Sequence, residues 1–435
     1  MDATPYPFHP DQALGIFLEP SLLVNRRIIN RKEVIDQIFS AMLMREHALI
    51  QSRTGAAKSL LAQQIFSMFE GANVFMVQAS KEQQPDTYFG GLDIEELKKG
   101  RIMHNTENSL VESEFGFIDE IFDANDYTLR ALLTTLNERA LILGVQQVPA
   151  RVHSVIAATN YLRVSEITEA LLDRFIFKAL FIPAKEAYTQ FQIAQRYLQH
   201  KGQPSIPERR IPYALLKRTS DIIRGVDAEF SVTIPYHVIF LANSVIRYYE
   251  MQKNRMIKEH PENHPHVKDY YISPRTYSRA MDMLRVSAFL NGRMEVVPED
   301  VENLWYLYTV VGIREEKELF QKCYNTIYKQ LTSSRAFDEI NRLLEFQEFL
   351  EYLKKNPDAM QHPLTEIEGQ PIRRTLKEWA KETLGITDAS VEQNRRLLEG
   401  YFKSFEPLTE ELADFLKHTE CDIQELFHPG GHIWT

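Results

Sequence analysis

The 435-residue chain is poor in cysteine and has no excess of positive charge. Two cysteines, Cys323 and Cys421, are too few for a disulfide framework or a cysteine-ligated metal site, and such scarcity suits a reducing compartment. The opening stretch MDATPYPFHPDQ lacks both a basic n-region and an apolar h-region, so no secretory signal is read there. No run approaches 18 uninterrupted apolar residues, which leaves no candidate membrane span. Internal repeats and low-complexity tracts are missing too. What the chain does have is 44% hydrophobic and 25% charged residues, the make-up of a globular protein of roughly three domains. The expectation is a soluble, cytoplasmic, multi-domain protein.

The net charge of −10 is unevenly spread. From residue 315 onward 15 basic residues face 23 acidic ones, or −8, which leaves 35 and 37, or −2, for residues 1–314. A nearly neutral body with an acidic tail lacks the basic stripe of a nucleic-acid binder and argues against that class.

Between residues 29 and 183 short apolar runs alternate with helix-period segments, the pattern of a parallel α/β sheet. The runs predict strands at 47–51, 73–78, 115–118, 152–158 and 175–182, with helices such as 58–69 and 127–138 between them. The next region is helical, with 187–200 and 236–257 its clearest segments. The acidic region after 314 is helical as well. There Phe346, Phe349, Leu350 and Leu353 fall at i, i+3, i+4 and i+7 and make one apolar stripe that must pack on something. Expected domain limits are 1–184, 185–314 and 315–435.

The strongest chemical feature is Ser52-Arg53-Thr54-Gly55-Ala56-Ala57-Lys58-Ser59, placed between an apolar run and a helical segment. It is a phosphate loop of the G-x-x-x-x-G-K-[ST] kind with two glycines replaced. Such a loop curls backbone N–H groups around phosphates at a helix N-terminus, where the macrodipole favours anions. A lysine then reaches the terminal phosphates and a hydroxyl binds Mg²⁺; Lys58 and Ser59 supply these. Gly55 is the surviving flexible position. Ala57 is expected to enter the helix with ordinary backbone angles, so its methyl should cost little, whereas Ser52 stands where the loop is expected to turn sharply. On its own this segment could equally be a strand–turn–helix with a chance Lys-Ser.

A second feature decides the matter. About 60 residues on, Phe115-Gly116-Phe117-Ile118-Asp119-Glu120 is an apolar strand that ends in two adjacent carboxylates. Asp119 can hold the Mg²⁺ shell, and Glu120 can orient and deprotonate an attacking water. A third strand, Val155-Ile156-Ala157-Ala158-Thr159-Asn160, ends in an amide that can lie beside those acids. Arg174 closes a helix just before a strand, and Arg275 follows Ser273-Pro274, a helix-start signal. An arginine that neutralises a transferring phosphoryl group accelerates the reaction by about 10³–10⁵. Trp305, Tyr306 and Tyr308 read as helical core.

In order and spacing these residues resemble the MoxR family of AAA+ ATPases, and within it the RavA-like branch. The resemblance runs over about residues 20–312. It is carried by residues 54–59, Phe89-Gly90-Gly91-Leu92, Phe117-Ile118-Asp119-Glu120-Ile121-Phe122, and Leu132-Leu133-Thr134-Thr135-Leu136-Asn137-Glu138-Arg139. Residues 157–160, Leu172-Asp173-Arg174-Phe175 and Ser287-Ala288-Phe289-Leu290-Asn291-Gly292-Arg293 complete it. Ser52 and Thr54 depart from the family's usual Gly and Pro, and Asn30 from its usual glycine.

The resemblance implies an α/β fold: an AAA+ αβα phosphate-loop domain with a parallel five-stranded sheet over 1–184, an all-α lid, and here a helical C-terminal extension. It implies ATP/ADP bound by Thr54, Gly55, Ala56, Ala57, Lys58, Ser59 and Leu60, with Ile29 near the adenine. Mg²⁺ falls to Ser59 and Asp119. Glu120 and Asn160 become the catalytic base and sensor 1, Arg174 an arginine finger offered to a neighbour, and Arg275 sensor 2. Residues 87–114 correspond to the helix-2 insert. The family further implies a homo-oligomeric ring, usually a hexamer. It acts as a chaperone-like remodeller on a partner with a von Willebrand factor A domain and a metal-dependent adhesion site. Two other classes remain as alternatives: a nucleotide-binding assembly component with weak or no turnover, which the retained Glu120 argues against, and an AAA+ nucleic-acid motor, which the charge distribution argues against.

Overall fold

The computed structural model describes residues 6–10, 13–17, 22, 24, 28, 31–143, 146–162, 166–182, 186–200, 210–260, 269–333, 335–362, 364, 366–367, 370–371 and 387–427. The chain divides into two compact units, Met1–Ile234 with Arg247–Tyr324 and Pro235–Ile246 with Asn325–Thr435.

The first unit opens with helix α1 (Lys32–Leu43), strand β1 (Ala48–Ser52) and helix α2 (Lys58–Phe66), then β2 (Phe69–Glu70) and β3 (Val74–Gln78). Short helices α3 (Asp86–Phe89) and α4 (Ile94–Lys98) precede β4 (Phe115–Asp119) and α5 (Asp126–Glu138). A hairpin of β5 (Ala140–Leu143) and β6 (Gln146–Pro149) leads to β7 (Ser154–Thr159), α6 (Glu166–Arg174) and β8 (Phe177–Phe181). Five of these strands form one sheet in the order β3-β4-β7-β1-β8. Every neighbouring pair is parallel. All five expected strands are present within a residue or two of their predicted limits. The hairpin has no counterpart in the sequence reading.

Parallel strands covered on both faces need near-continuous apolar runs, and SVIAAT of β7 is buried at all six positions. On one face Ile118, Val155 and Ala157 join Leu129, Leu132 and Leu171 from α5 and α6. On the other, the Phe115 ring stacks on Phe66 of α2 with centroids 5.2 Å apart and meets Phe69 at the same distance. Gly116 of β4 is required by closeness: a Cβ there would come 2.8 Å from Leu110 Cδ1 and 3.0 Å from Val155 Cγ2. The edge strand β8 is extended by Val311, whose N–H donates to the Lys178 carbonyl (2.9 Å) and whose carbonyl accepts from Leu180 N (2.6 Å).

Helix α7 (Ala187–His200) and β9 (Ile211–Pro212) lead into the helices α8 (Tyr213–Ile223), α9 (Tyr236–Glu259), α10 (Pro274–Leu290), α11 (Trp305–Tyr308) and α12 (Arg314–Thr332). The Ser-Pro signal is met: Ser273 caps α10 by accepting from Thr276 N, with Pro274 at the first helical position. Trp305 and Tyr308 are buried, and Tyr308 stacks with Phe320. Asp300 anchors this layer by taking both Arg293 Nη1 and Nη2 at 2.8 Å and the Ser287 hydroxyl at 2.7 Å.

The second unit holds α13 (Arg335–Lys355), a two-stranded β10 (Glu366–Ile367) and β11 (Gln370–Pro371), α14 (Thr387–Phe402) and α15 (Glu410–Phe427). The predicted stripe does find its partner here: Phe346, Leu350 and Leu353 are buried, with Phe346 against the rings of Tyr401 and Phe405. Among the described residues no helix is long and apolar enough to cross a membrane.

Two histidines beside the sheet are locked in the neutral form. His47 accepts a hydrogen bond from Val155 N at Nδ1 (3.0 Å) and donates from Nε2 to the Leu136 carbonyl (3.3 Å). A second ring proton would therefore face the Val155 N–H. His153 donates from Nε2 to the Met42 carbonyl at 2.7 Å. Burial drives the His47 imidazole well below its ordinary range, helped by Arg139, and pushes His153 down to about 3. A folded pKa below the unfolded value of about 6.5 means that the unfolded chain binds the extra protons. The stability contributed is full above about pH 6.5 and is lost as pH falls below it, by ~2 kcal/mol at pH 5 for His153. Thermal unfolding at pH 7 and pH 5 is expected to show a drop in Tm that becomes smaller in His153→Gln. Equal drops in both proteins would refute this origin.

Candidate nucleotide site

Strands β4, β7 and β1 are adjacent and run the same way, so whatever follows each of them emerges at one edge. After β1 comes the Lys58 loop, after β4 the two acids, and after β7 the amide of Asn160. Lys58 is 6% exposed, and its Nζ lies 2.8 Å from Asn160 Oδ1, 3.3 Å from Glu120 Oε1 and 3.7 Å from Asp119 Oδ1. The Ser59 hydroxyl donates to Asp119 Oδ2 at 3.2 Å. Glu120 is held in turn by Asn160, whose backbone N–H donates to Oε2 at 3.0 Å and whose side-chain amide donates to Oε1. Five residues drawn from three separate segments of sequence thus share one small charged cluster.

Two expectations about the loop are corrected. Ser52 makes no sharp turn: it is the last residue of β1, buried, and in register with Phe181 of β8. Its extended backbone needs no glycine. Ala57, in contrast, does not enter α2 with ordinary angles. It sits in the left-handed region at φ 61°, ψ 33°, as the residue before the helix. The turn that a glycine would make freely is made here by two left-handed positions either side of Ala56, Gly55 at φ 81° and Ala57. Glu120 is also left-handed, at φ 51°, because the chain leaves β4 sharply there and closes a turn with Asp123 N donating to its carbonyl at 2.7 Å. Thr54 and Gly55 are exposed, Ala56 is half-buried, and Leu60 is exposed one turn into the helix. Ile29 lies outside the described residues.

The geometry suits a hydrated divalent cation. Two cis ligands of an octahedral Mg²⁺ at 2.0–2.1 Å are about 3 Å apart, close to the separation of Ser59 Oγ from Asp119 Oδ2. Among the described residues no three His, Cys, Asp or Glu gather around one point. Mg²⁺, which keeps several waters and takes phosphate oxygens, needs only one or two protein ligands.

Neither predicted arginine joins this cluster. Arg174 closes α6, donates from Nη1 to the Ala170 carbonyl (3.2 Å), and pairs with Asp173 Oδ2 (3.4 Å). Arg275, at the start of α10, has its Nε 3.9 Å from that same oxygen. Both line a cavity of about 130 Å³ with Arg139, Arg279, Glu46 and Asn137. Burial lowers the Arg139 guanidinium to about 10, with Glu46 opposing. Asp173, Glu46 and Arg279 were not singled out from sequence. The spacing of Arg275 and Arg279, one turn apart on one helix, is the signal that could have found the last of these.

A phosphate-loop strand order and a lysine–acid–amide cluster at the strand ends define an AAA+ protein. Residues 21–194 match the family model described as the MoxR domain in the MoxR-vWA-beta-propeller ternary systems, and residues 250–318 match an AAA lid domain. Residues 21–194 are thus a MoxR domain of the AAA+ class, followed by an AAA lid. It is 28% identical over 288 residues to an uncharacterized protein of Methanocaldococcus jannaschii, covering 66% of this chain and 68% of that one. It is 27% identical over 159 residues to chaperone MoxR1 of Mycobacterium tuberculosis, covering 36% of this chain and 41% of the chaperone. A solved structure of a provisionally assigned ATPase from Cytophaga hutchinsonii shares the fold, with a TM-score of 0.56 at 17% identity over 74% of this chain and 95% of that one.

An alanine held left-handed is strained by about 1–2 kcal/mol, against roughly 0.4–1 kcal/mol of added unfolded-state entropy for glycine. Ala57→Gly is therefore expected to keep or raise Tm, where a helix-interior glycine would lower it. Calorimetry settles the sign, and a loss of about 1 kcal/mol would mean that the loop does not take this turn.

Proposed function

We propose that the protein is a Mg²⁺-dependent ATPase that works as a cytoplasmic homo-oligomeric ring, a hexamer, and remodels a partner protein. The observation that carries this reading is the convergence of Lys58, Glu120 and Asn160, with Ser59 on Asp119, at one sheet edge. Lys58 is positioned to bind the terminal phosphates, with the loop N–H groups of residues 54–60 around them. Ser59 and Asp119 would hold Mg²⁺, which neutralises phosphate charge when bound. Glu120, fixed through both oxygens by Asn160, orients a water and takes its proton.

Arg174 and Arg275 make no bond to that cluster and instead share a cavity, so they serve the nucleotide of an adjacent copy. Each site is then completed across a subunit boundary, and hydrolysis depends on assembly. A partner with a von Willebrand factor A domain is supported by the ternary systems named in the matched description, and chaperone-like action by the name of the mycobacterial relative. The RavA-like branch rests on the sequence motifs alone. Residues 315–435, acidic and helical, are assigned as an adaptor surface, the lid as 185–314, and the core as 1–184 with its insert at 87–114.

Steady-state phosphate release tests the reading. Glu120→Gln is expected to lose 10²–10⁴-fold in turnover while still binding nucleotide. Lys58→Ala and Arg174→Ala should each be inactive alone and regain activity when mixed, because each supplies the half-site that the other lacks. Wild-type protein that binds nucleotide without releasing phosphate would leave an assembly component in place of the enzyme.

A further inference from the structure

The two arginines stand 101 residues apart in sequence, and both meet a single carboxylate oxygen. Asp173 Oδ2 lies 3.4 Å from Arg174 Nη1 and 3.9 Å from Arg275 Nε. The arrangement has opposing forces. Two guanidiniums brought together repel. Arg275 also occupies the first turn of α10, the positive end of the helix, where there is no acidic residue to offset it. Left to itself, Arg275 would swing away into solvent. One turn further along, Arg279 Nε lies 2.7 Å from Glu46 Oε1, so the same helix is fixed to the α/β core at a second point. Meanwhile the Arg174 Nε is buried with no hydrogen-bond partner, a donor left for an incoming anion.

We propose that Asp173 is a positioning residue that gathers Arg174 and Arg275 into one anion-binding element for the neighbouring copy's nucleotide; this rests on the ATPase reading above. Asp173 does not itself meet the nucleotide. Its negative charge makes the two positive groups compatible at short range and holds the lid arginine where the core arginine already is. The role acts in trans, since the arginines it orders belong to the neighbour's site.

The test is complementation. Asp173→Asn keeps the shape and removes the charge. Its kcat is expected to fall on the order of 10–100-fold, with KM, ring mass and nucleotide affinity close to wild type. Asp173→Glu should recover part of the loss. Mixing Asp173→Asn with Lys58→Ala should restore turnover, because the first lends an intact phosphate loop and the second an ordered arginine pair. In the Arg275→Ala background, Asp173→Asn should cost less than it does alone. Asp173→Asn with wild-type kcat, or inactive with no rescue on mixing while Arg174→Ala is rescued by the same Lys58→Ala partner, overturns the positioning role and leaves the ATPase reading intact. Wild type that releases no phosphate overturns both.

Discussion

The constraint on which the structure turns is the shared direction of β4, β7 and β1. Their register pairs Ile118 with Ala157 and Gln51 with Thr159, so the three chains leave the sheet side by side. Nothing about Lys58, Glu120 or Asn160 singly would make a site. They meet because apolar strands of similar length stop at one edge: Glu120 and Asn160 directly follow β4 and β7, and the loop after β1 brings Lys58 back to the same place at the start of α2. The result is a lysine almost wholly removed from water, which is tolerated because two carboxylates and an amide oxygen surround it. One cation among two acids leaves the cluster with a single net negative charge. A hydroxyl and carboxylate spaced for Mg²⁺ lie on one flank, so added positive charge has a place to go.

The sheet was legible because its parallel strands are continuous apolar runs, the edge strand β3 included although its Val74 and Met76 are exposed, and such runs survive in a single sequence. The hairpin after α5 was not, since ALIL is apolar without alternation while QQVP is mostly polar, and neither half carries a strand's period. The phosphate loop was found, yet its backbone was misread in both directions. Reading by glycine substitution put the strain at Ser52 and the ease at Ala57. The strand in fact runs through Ser52, and the left-handed turn falls five residues on, at Ala57, directly before the helix. Motif letters report which residue types stand in a loop, while backbone angles depend on where the flanking strand stops. Asp173 stands within the motif Leu172-Asp173-Arg174-Phe175, yet its pairing could not be read there, because its meaning comes from Arg275, which the fold brings to it from a distant helix.

Departures from local rules collect around the two charged clusters. Five described residues other than glycine have a positive φ, and only Asn108, a type that tolerates it, stands apart. Ala57 and Glu120 flank Lys58, Arg139 lines the arginine cavity, and Arg45 gives its carbonyl to Arg139 beside Glu46. The orphaned Arg174 Nε and the cation at the positive end of α10 belong to the same region. Strained backbone persists only where the surrounding packing holds it, and here it gathers around the two charged clusters.

The two clusters nevertheless differ in kind. Around Lys58 every charge has a partner of opposite sign within the chain, and the strain is in the backbone. Around Arg174 the backbone of the arginine is ordinary helix, and what is unsettled is charge: four arginines against Glu46, Asp173 and Asp282, with a donor unused. A site whose charged groups are already paired within the chain can wait for its ligand in isolation, whereas a cationic cavity gains most when negative charge arrives from outside. If that charge is carried by the phosphates of another copy, the energy that draws two subunits together and the energy that completes the catalytic site are the same. Assembly and turnover would then be coupled without any further device, and the lid, tied to the core through Asp173 and Glu46, would feel every change in that shared charge.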